Sequence, residues 1–169
     1  MTKPRCSGLP TTDAPIALIG PSTGLGVSAL VPTQTGAVPI PGEGGHVTMA
    51  PANARESAVL DLMRKRYDHV SAERVLSGPG LVNLYATFCE LSAAPAAPFT
   101  PAQITNPRMW DEDPRTLEAT AMFCAMLVDS GRQSGSDLRR AGRHLHRRRY
   151  RAEAGVVLRA DRVPDAVRG

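Results

Sequence analysis

The stretch His69-Val-Ser-Ala-Glu-Arg-Val-Leu-Ser-Gly-Pro-Gly-Leu-Val-Asn-Leu-Tyr85 carries its own punctuation. Ser71 is a capping residue type, because a serine hydroxyl accepts from the backbone N–H groups that a first helical turn leaves free. A short helical turn is therefore predicted to open after Ser71. Glu73 falls in that turn, where a carboxylate complements the positive end of the helix dipole; the same carboxylate is also a candidate ligand group. Ser77-Gly-Pro-Gly80 breaks the chain. Leu81, Leu84, Tyr85 and Phe88 then recur on one side of a second helix.

Upstream lies Pro41-Gly-Glu-Gly-Gly-His46, in which three glycines and a proline surround one carboxylate and one imidazole. Glycine permits close backbone approach, so the segment reads as a turn presenting Glu43 and His46. A carboxylate accepts hydrogen bonds and an imidazole donates or accepts, which suits a polyhydroxylated ligand such as a sugar. The same six residues equally suit an ordinary surface turn. Pro15–Ile19 and Val27–Val31 are short apolar runs on either side of Gly20-Pro-Ser-Thr-Gly-Leu-Gly26, the pattern of strand, glycine turn, strand. Backbone N–H groups of such a turn can cradle phosphate oxygens, or the turn can be purely structural. Gly36–Ile40 predicts another short strand, with Pro39 placing it at a sheet edge or a strand end. Residues 54–67 carry Val59, Leu60, Met63 and Tyr67 at helical spacing, with Arg64, Lys65 and Arg66 read as a solvated face.

Downstream, Thr100-Pro-Ala-Gln103 matches a capping box with proline at the first helical position. Asp113-Pro114 starts a further helix expected to carry Leu117, Ala121, Cys124 and Leu127 inward. Cys89 and Cys124 sit among apolar neighbours and read as core packing. The 169 residues suffice for one domain with a core, and 42% are hydrophobic. No apolar run is long enough to span a bilayer, and 1–13 lacks the apolar centre of a signal peptide. Three widely spaced cysteines indicate neither a zinc site nor a disulfide framework, so reduced thiols in the cytoplasm are expected. The net charge of +4 is split unevenly: 1–130 hold 9 basic against 12 acidic residues (−3), whereas 131–169 hold 11 arginines against 4 acidic residues (+7).

Gly20-Pro-Ser-Thr-Gly-Leu-Gly-Val27, Pro41-Gly-Glu-Gly-Gly-His-Val47 and His69–Tyr85, in this order and spacing, resemble the bacterial glucokinase family, and Phe123-Cys-Ala-Met-Leu127 adds a weaker match. The resemblance covers about residues 15–127. It implies an α/β, partial actin-like ATPase (RNase H-like) fold, mainly the larger sugar-binding domain, with disordered ends. It also implies ATP-dependent, Mg2+-assisted phosphorylation of glucose to glucose 6-phosphate, and a homodimer when intact. By motif position Glu43, His46, Glu73 and Gly24 would bind glucose, and Thr23 with Gly24 would form the turn approaching the phosphates. Two positions depart from the family pattern: Ser22 stands where glycine is usual, and Thr48 where aspartate is usual. The resemblance also implies a general-base aspartate and a nucleotide-binding hairpin upstream. Neither has a counterpart in 1–14, so no catalytic residue is assigned and the chain is expected to be inactive. No metal ligands are assigned.

The chain accordingly divides into a disordered start at 1–14, a partial glucokinase domain at 15–127, and an Arg-rich tail at 128–169 without helical or strand period. The tail is expected to be frameshifted and disordered. Read with allowed codons in the other frame, 143–155 gives an apolar, glycine-containing segment similar to the family's adenosine loop. Its arginines would bind nucleic acid only through non-specific attraction to phosphates. The alternative is a non-catalytic sugar- or nucleic-acid-binding protein that uses this basic arm; Tyr150 is the tail's sole aromatic for stacking.

Overall fold

The computed structural model describes residues 15–145, with side-chain surroundings described up to Ser134. The expected disordered start at 1–14 and the end of the tail beyond 145 lie outside the described residues. Three strands, β1 (Ile16–Pro21), β2 (Leu25–Thr33) and β3 (Gly36–Gly42), form an antiparallel meander in the order β1-β2-β3. The register runs Ile16↔Leu30 to Pro21↔Leu25 on one side of β2 and Thr33↔Gly36 to Val27↔Gly42 on the other. The first glycine turn is therefore shorter than the sequence suggests, because the ladder zips up until only Ser22, Thr23 and Gly24 are left at its tip. At the second turn Gly36 has φ +136°, a conformation open to glycine and costly to a residue with a Cβ. Pro39 lies in edge strand β3, as expected. Pro39 and Pro41 occupy alternate positions there, where a missing N–H costs the ladder nothing and blocks further strand addition.

A 3-10 turn, Gly44–His46, follows β3 directly. The helices are α1 (Ala54–Arg66), α2 (Ala72–Val75), α3 (Gly78–Leu91), α4 (Pro101–Ile104), α5 (Pro107–Glu112) and α6 (Pro114–Leu145). Each starts where a side chain can take its orphan N–H groups. Asn53 caps α1, Ser71 caps α2, Ser77 caps α3, and Thr100 with Gln103 closes the reciprocal capping box of α4. The core lies among α1, α3, α4 and α6, where Val59, Leu60, Met63, Leu84, Ile104 and Met126 are wholly buried. Leu25 joins this core from the sheet.

Three expectations are corrected. Among the described residues the buried positions of α6 are Thr116, Ala119, Thr120, Met122, Met126 and Gly131, while Leu117, Ala121 and Cys124 are half-buried and Leu127, also half-buried, packs against the core as expected. The physical reason is hydroxyl back-bonding. Thr116 Oγ1 donates to the Asp113 carbonyl at 2.6 Å and Thr120 Oγ1 to that of Thr116 at 2.8 Å. Both threonines thus enter the core with their polar atoms satisfied. Secondly, the tail expected to be disordered from 128 is helical over 128–145, because α6 runs on to Leu145. Arg, Gln, Leu and Ala are good helix formers, and no proline interrupts 115–145. Thirdly, Arg66 is not merely solvated: it bonds Thr87 on α3 and lies 3.9 Å from the Glu90 carboxylate.

Candidate functional site

A short ladder builds the site. The Met49 N–H donates to the Val70 carbonyl at 2.9 Å, the Ala72 N–H donates to that of Val47 at 2.8 Å, and Thr48 pairs antiparallel with Ser71 between them. Each strand of this ladder ends at a candidate ligand, because His46 precedes Val47 and Glu73 follows Ala72. The pairing thus brings the 3-10 turn and α2 together, although 25 residues separate His46 from Ala72 in sequence. Thr48 sets its hydroxyl 3.0 Å from His69 Nε2.

Glu73 is half-buried, and its Oε2 accepts from the Leu25 N–H at 3.0 Å. The carboxylate therefore rests on the start of β2, next to the hairpin tip. Two glycines make room for it. A Cβ on Gly24 would stand 2.6 Å from Glu73 Oε2, and a Cβ on Gly45 would stand 2.6 Å from the Leu25 carbonyl and 3.6 Å from the same Glu73 oxygen. The tip is tied down from the other side: Ser22 donates its N–H to the Gly24 carbonyl and accepts from the Gly78 N–H, both at 2.7 Å. Ser22 does not have positive φ, so serine at this position costs no backbone strain.

Glu43 and His46 face solvent, with side chains 89% and 67% exposed, and Glu43 Oε2 lies 3.4 Å from His46 Nε2. Both can meet a ligand without prior displacement of protein groups. The candidates Thr23, Gly24, Glu43, His46 and Glu73 all belong to three adjoining segments: the hairpin tip, the 3-10 turn and α2. They comprise a carboxylate on α2 held by a backbone N–H and, at the adjoining 3-10 turn, an exposed carboxylate and imidazole. Such a set can accept from and donate to several neighbouring hydroxyls at once. Among the described residues there is no group of three or more His, Cys, Asp or Glu that could hold a metal ion.

The Ser77-Gly-Pro-Gly80 break is what fixes α2, and the sequence alone did not mark its residues as functional. Ser77 Oγ donates to the Glu73 carbonyl at 2.7 Å and accepts from the Gly80 N–H at 3.0 Å. A Cβ on Gly80 would stand 2.5 Å from the Val75 carbonyl carbon and oxygen, so only glycine lets α3 pack this close to α2. The signal for Ser77 was legible as a serine three residues before a small N–H donor at a helix start. The signal for Leu25, which acts through its backbone, was not.

A second polar cluster ties the middle of α3 to the start of α6. Tyr85 donates to Asp113 Oδ2 at 2.7 Å, and Arg115 Nε donates to Asp113 Oδ1 at 2.6 Å. Burial pushes the Asp113 pKa upward, but the hydrogen bonds from Arg115 and Tyr85 outweigh it and hold the carboxyl below its ordinary range. Burial, followed by the bond to Asp113, raises the Tyr85 phenol above its usual value. Burial likewise raises the Cys124 thiol, which suits an unreactive packing role. Cys89 is buried and, like Cys124, carries no disulfide. No helix of the described residues is long and apolar enough to cross a membrane.

Comparison with known proteins places this geometry in a family. A family model described as Glucokinase matches residues 5–136. The glucokinase of Nitrobacter hamburgensis is 47% identical over 116 residues, which are 69% of this chain and 36% of that protein. The glucokinase of Paramagnetospirillum magneticum is 50% identical over 121 residues, 71% of this chain and 38% of that protein. The chain thus spans little more than a third of the length of these relatives. Among solved structures, a glucokinase from an Antarctic psychrotroph superposes with a TM-score of 0.68 at 32% identity, over 80% of this chain and 41% of that one. A glucokinase from Balamuthia mandrillaris in complex with glucose superposes with a TM-score of 0.65 at 21% identity, over 78% of this chain and 39% of that one, a likeness of fold alone. The fold is the α/β, partial actin-like ATPase fold that the motifs implied. The chain belongs to the glucokinase family.

Proposed function

We propose that these residues form the sugar-recognition part of an ATP-dependent hexose kinase, binding D-glucose for phosphorylation to glucose 6-phosphate. Glu73, Glu43 and His46 take the sugar hydroxyls, and Gly24 gives the sugar ring close access to the hairpin tip. The observation that carries this reading is the seating of Glu73 on the Leu25 N–H between Gly24 and Gly45. A carboxylate fixed by one backbone donor keeps its second oxygen for a ligand, and its orientation is set before the ligand arrives.

Thr23 and Gly24 are assigned to the phosphate-approaching turn. The described residues hold no group of three or more His, Cys, Asp or Glu that could hold a metal ion, and Mg2+ ordinarily binds through one or two carboxylates together with substrate phosphates, so the metal would enter with ATP and supply the neutralisation of phosphoryl charge. What the segment contributes is positioning, the larger share of catalysis in phosphoryl transfer. By itself the 169-residue chain binds sugar without turning it over. Such a domain is a cytoplasmic one, and an intact homodimer follows from the same family reading.

Saturation-transfer NMR with D-glucose tests the proposal. Saturable binding is expected for the wild type and for Glu118→Ala, a surface site bonded to Arg55, but not for Glu73→Ala. Losing one hydrogen bond to a charged group weakens binding by roughly 1.5–3 kcal/mol, about a 10- to 150-fold loss. Glucose bound equally by wild type and Glu73→Ala refutes the site. Turnover with Mg-ATP that disappears in Glu43→Ala refutes the inactivity.

A further inference from the structure

We propose that Asn83, on α3, is the positioning residue for Glu73, acting through the backbone of α2. This rests on the sugar-site reading given above for Glu73. Helix α2 is four residues long, a single turn with no stability of its own, since nucleation is unfavourable and almost nothing propagates from it. Its placement is therefore set from outside.

Of the carbonyls of the turn that no helix continues to use, those of Glu73 and Arg74 are taken by side chains of the cap and the middle of the next helix. Ser77 Oγ donates to the Glu73 carbonyl at 2.7 Å, and Asn83 Nδ2 donates to that of Arg74 at 3.0 Å. Ser77 is also the cap of α3, so any change there disturbs that helix as well. Asn83 is the one of the two whose amide can be altered without touching a helix start.

The orientation of the Asn83 amide is decided by its partners. The Arg74 carbonyl can only accept, so Nδ2 must face it. Oδ1 then points to Tyr67, whose hydroxyl donates to it at 2.9 Å. The ring of Tyr67 in turn carries the Arg74 guanidinium at 4.5 Å from its centroid, a favourable cation–π distance. Tyr67, Asn83 and Arg74 thus close a cycle joining the end of α1, the middle of α3 and the turn that holds Glu73. One residue before Arg74, the Glu73 side chain reaches the Leu25 N–H at 3.0 Å. A shift of the Arg74 carbonyl moves Glu73 with it, and this bond responds first.

Asn83→Asp is nearly isosteric and keeps an acceptor for Tyr67. It turns the donor facing the Arg74 carbonyl into a second acceptor, which repels it. Amide hydrogen exchange followed by NMR reads the result directly. The Leu25 N–H should exchange roughly tenfold faster, and glucose should bind about tenfold more weakly, the scale of one net hydrogen bond. The Ile104 N–H, bonded to the Thr100 carbonyl at 3.0 Å within α4, should keep its protection. A purely structural role would instead speed both amides together. Asn83→Ala removes the bond without adding repulsion and should act in the same direction, less strongly; it serves if the aspartate variant does not fold. Wild-type exchange at Leu25 in folded Asn83→Asp or Asn83→Ala overturns the proposal. If the wild type binds no glucose, the sugar reading falls, while the Leu25 amide still decides whether Asn83 places Glu73.

Discussion

Gly80→Ala is the substitution whose cost the structure fixes most directly. The new Cβ would lie 2.5 Å from the carbonyl carbon and oxygen of Val75 and 3.0 Å from its Cα. Ordinary contacts begin near 3.4 Å, so α2 and α3 would have to part by almost 1 Å, and the obstacle is backbone rather than the end of a flexible side chain. Overpacking of this kind costs about 1–3 kcal/mol. Alanine returns less than the ~1 kcal/mol it gains over glycine in a helix interior, since residue 80 lies in the first turn. A net loss of about 1–2 kcal/mol remains, against a total of roughly 5–15 kcal/mol for a folded domain. Urea unfolding should show a lowered midpoint with an unchanged slope, and melting should fall by roughly 3–8 °C. Gly20→Ala is the control, because a Cβ there meets no heavy atom within 4 Å. It should stay within about 0.5 kcal/mol of wild type. A Gly80→Ala protein as stable as wild type would refute the close approach of α2 and α3, and with it the account of how Glu73 is seated.

Two more tests address the polar groups that hold α3. Asp113 has a folded pKa below its unfolded value, because the bonds from Arg115 and Tyr85 outweigh its burial. Its stabilisation is therefore present above the unfolded pKa of about 3.9 and is lost as pH falls through the lower folded value. Urea midpoints compared between about pH 2 and pH 5 should fall less steeply on acidification in Asp113→Asn than in wild type; parallel curves would contradict the assignment. Ser77→Ala removes both the cap of α3 and the donor to the Glu73 carbonyl. It should cost about 1–2 kcal/mol by thermal unfolding and should weaken glucose binding, with Ser77→Thr restoring most of each. Unchanged stability in Ser77→Ala would show that Gly80 finds another acceptor.

The sequence by itself determined the local features of this protein. Ser71, Thr100 and Gln103 announce helix starts because a capping side chain bonds backbone within three residues of itself, and no distant partner is needed. The same holds for the proline-bearing edge strand β3 and for the glycine turns. The family motifs also named Glu43, His46 and Glu73 as candidates, without saying what holds each in place. Tertiary structure alone decided which face of α6 is buried. Leu117 looks more apolar than Thr116, but a threonine whose hydroxyl donates to the preceding turn packs inside at little cost. It also decided the place of Glu73, because the partner of that carboxylate is the backbone N–H of Leu25, 48 residues away, and a backbone donor has no letter of its own in the sequence. The glycines at 24, 45 and 80 are legible as permissive positions, yet what each makes room for is a contact between segments. Local chemistry is written within a few residues, whereas a site assembled from a hairpin tip, a 3-10 turn and a single helical turn exists only once packing has fixed all three.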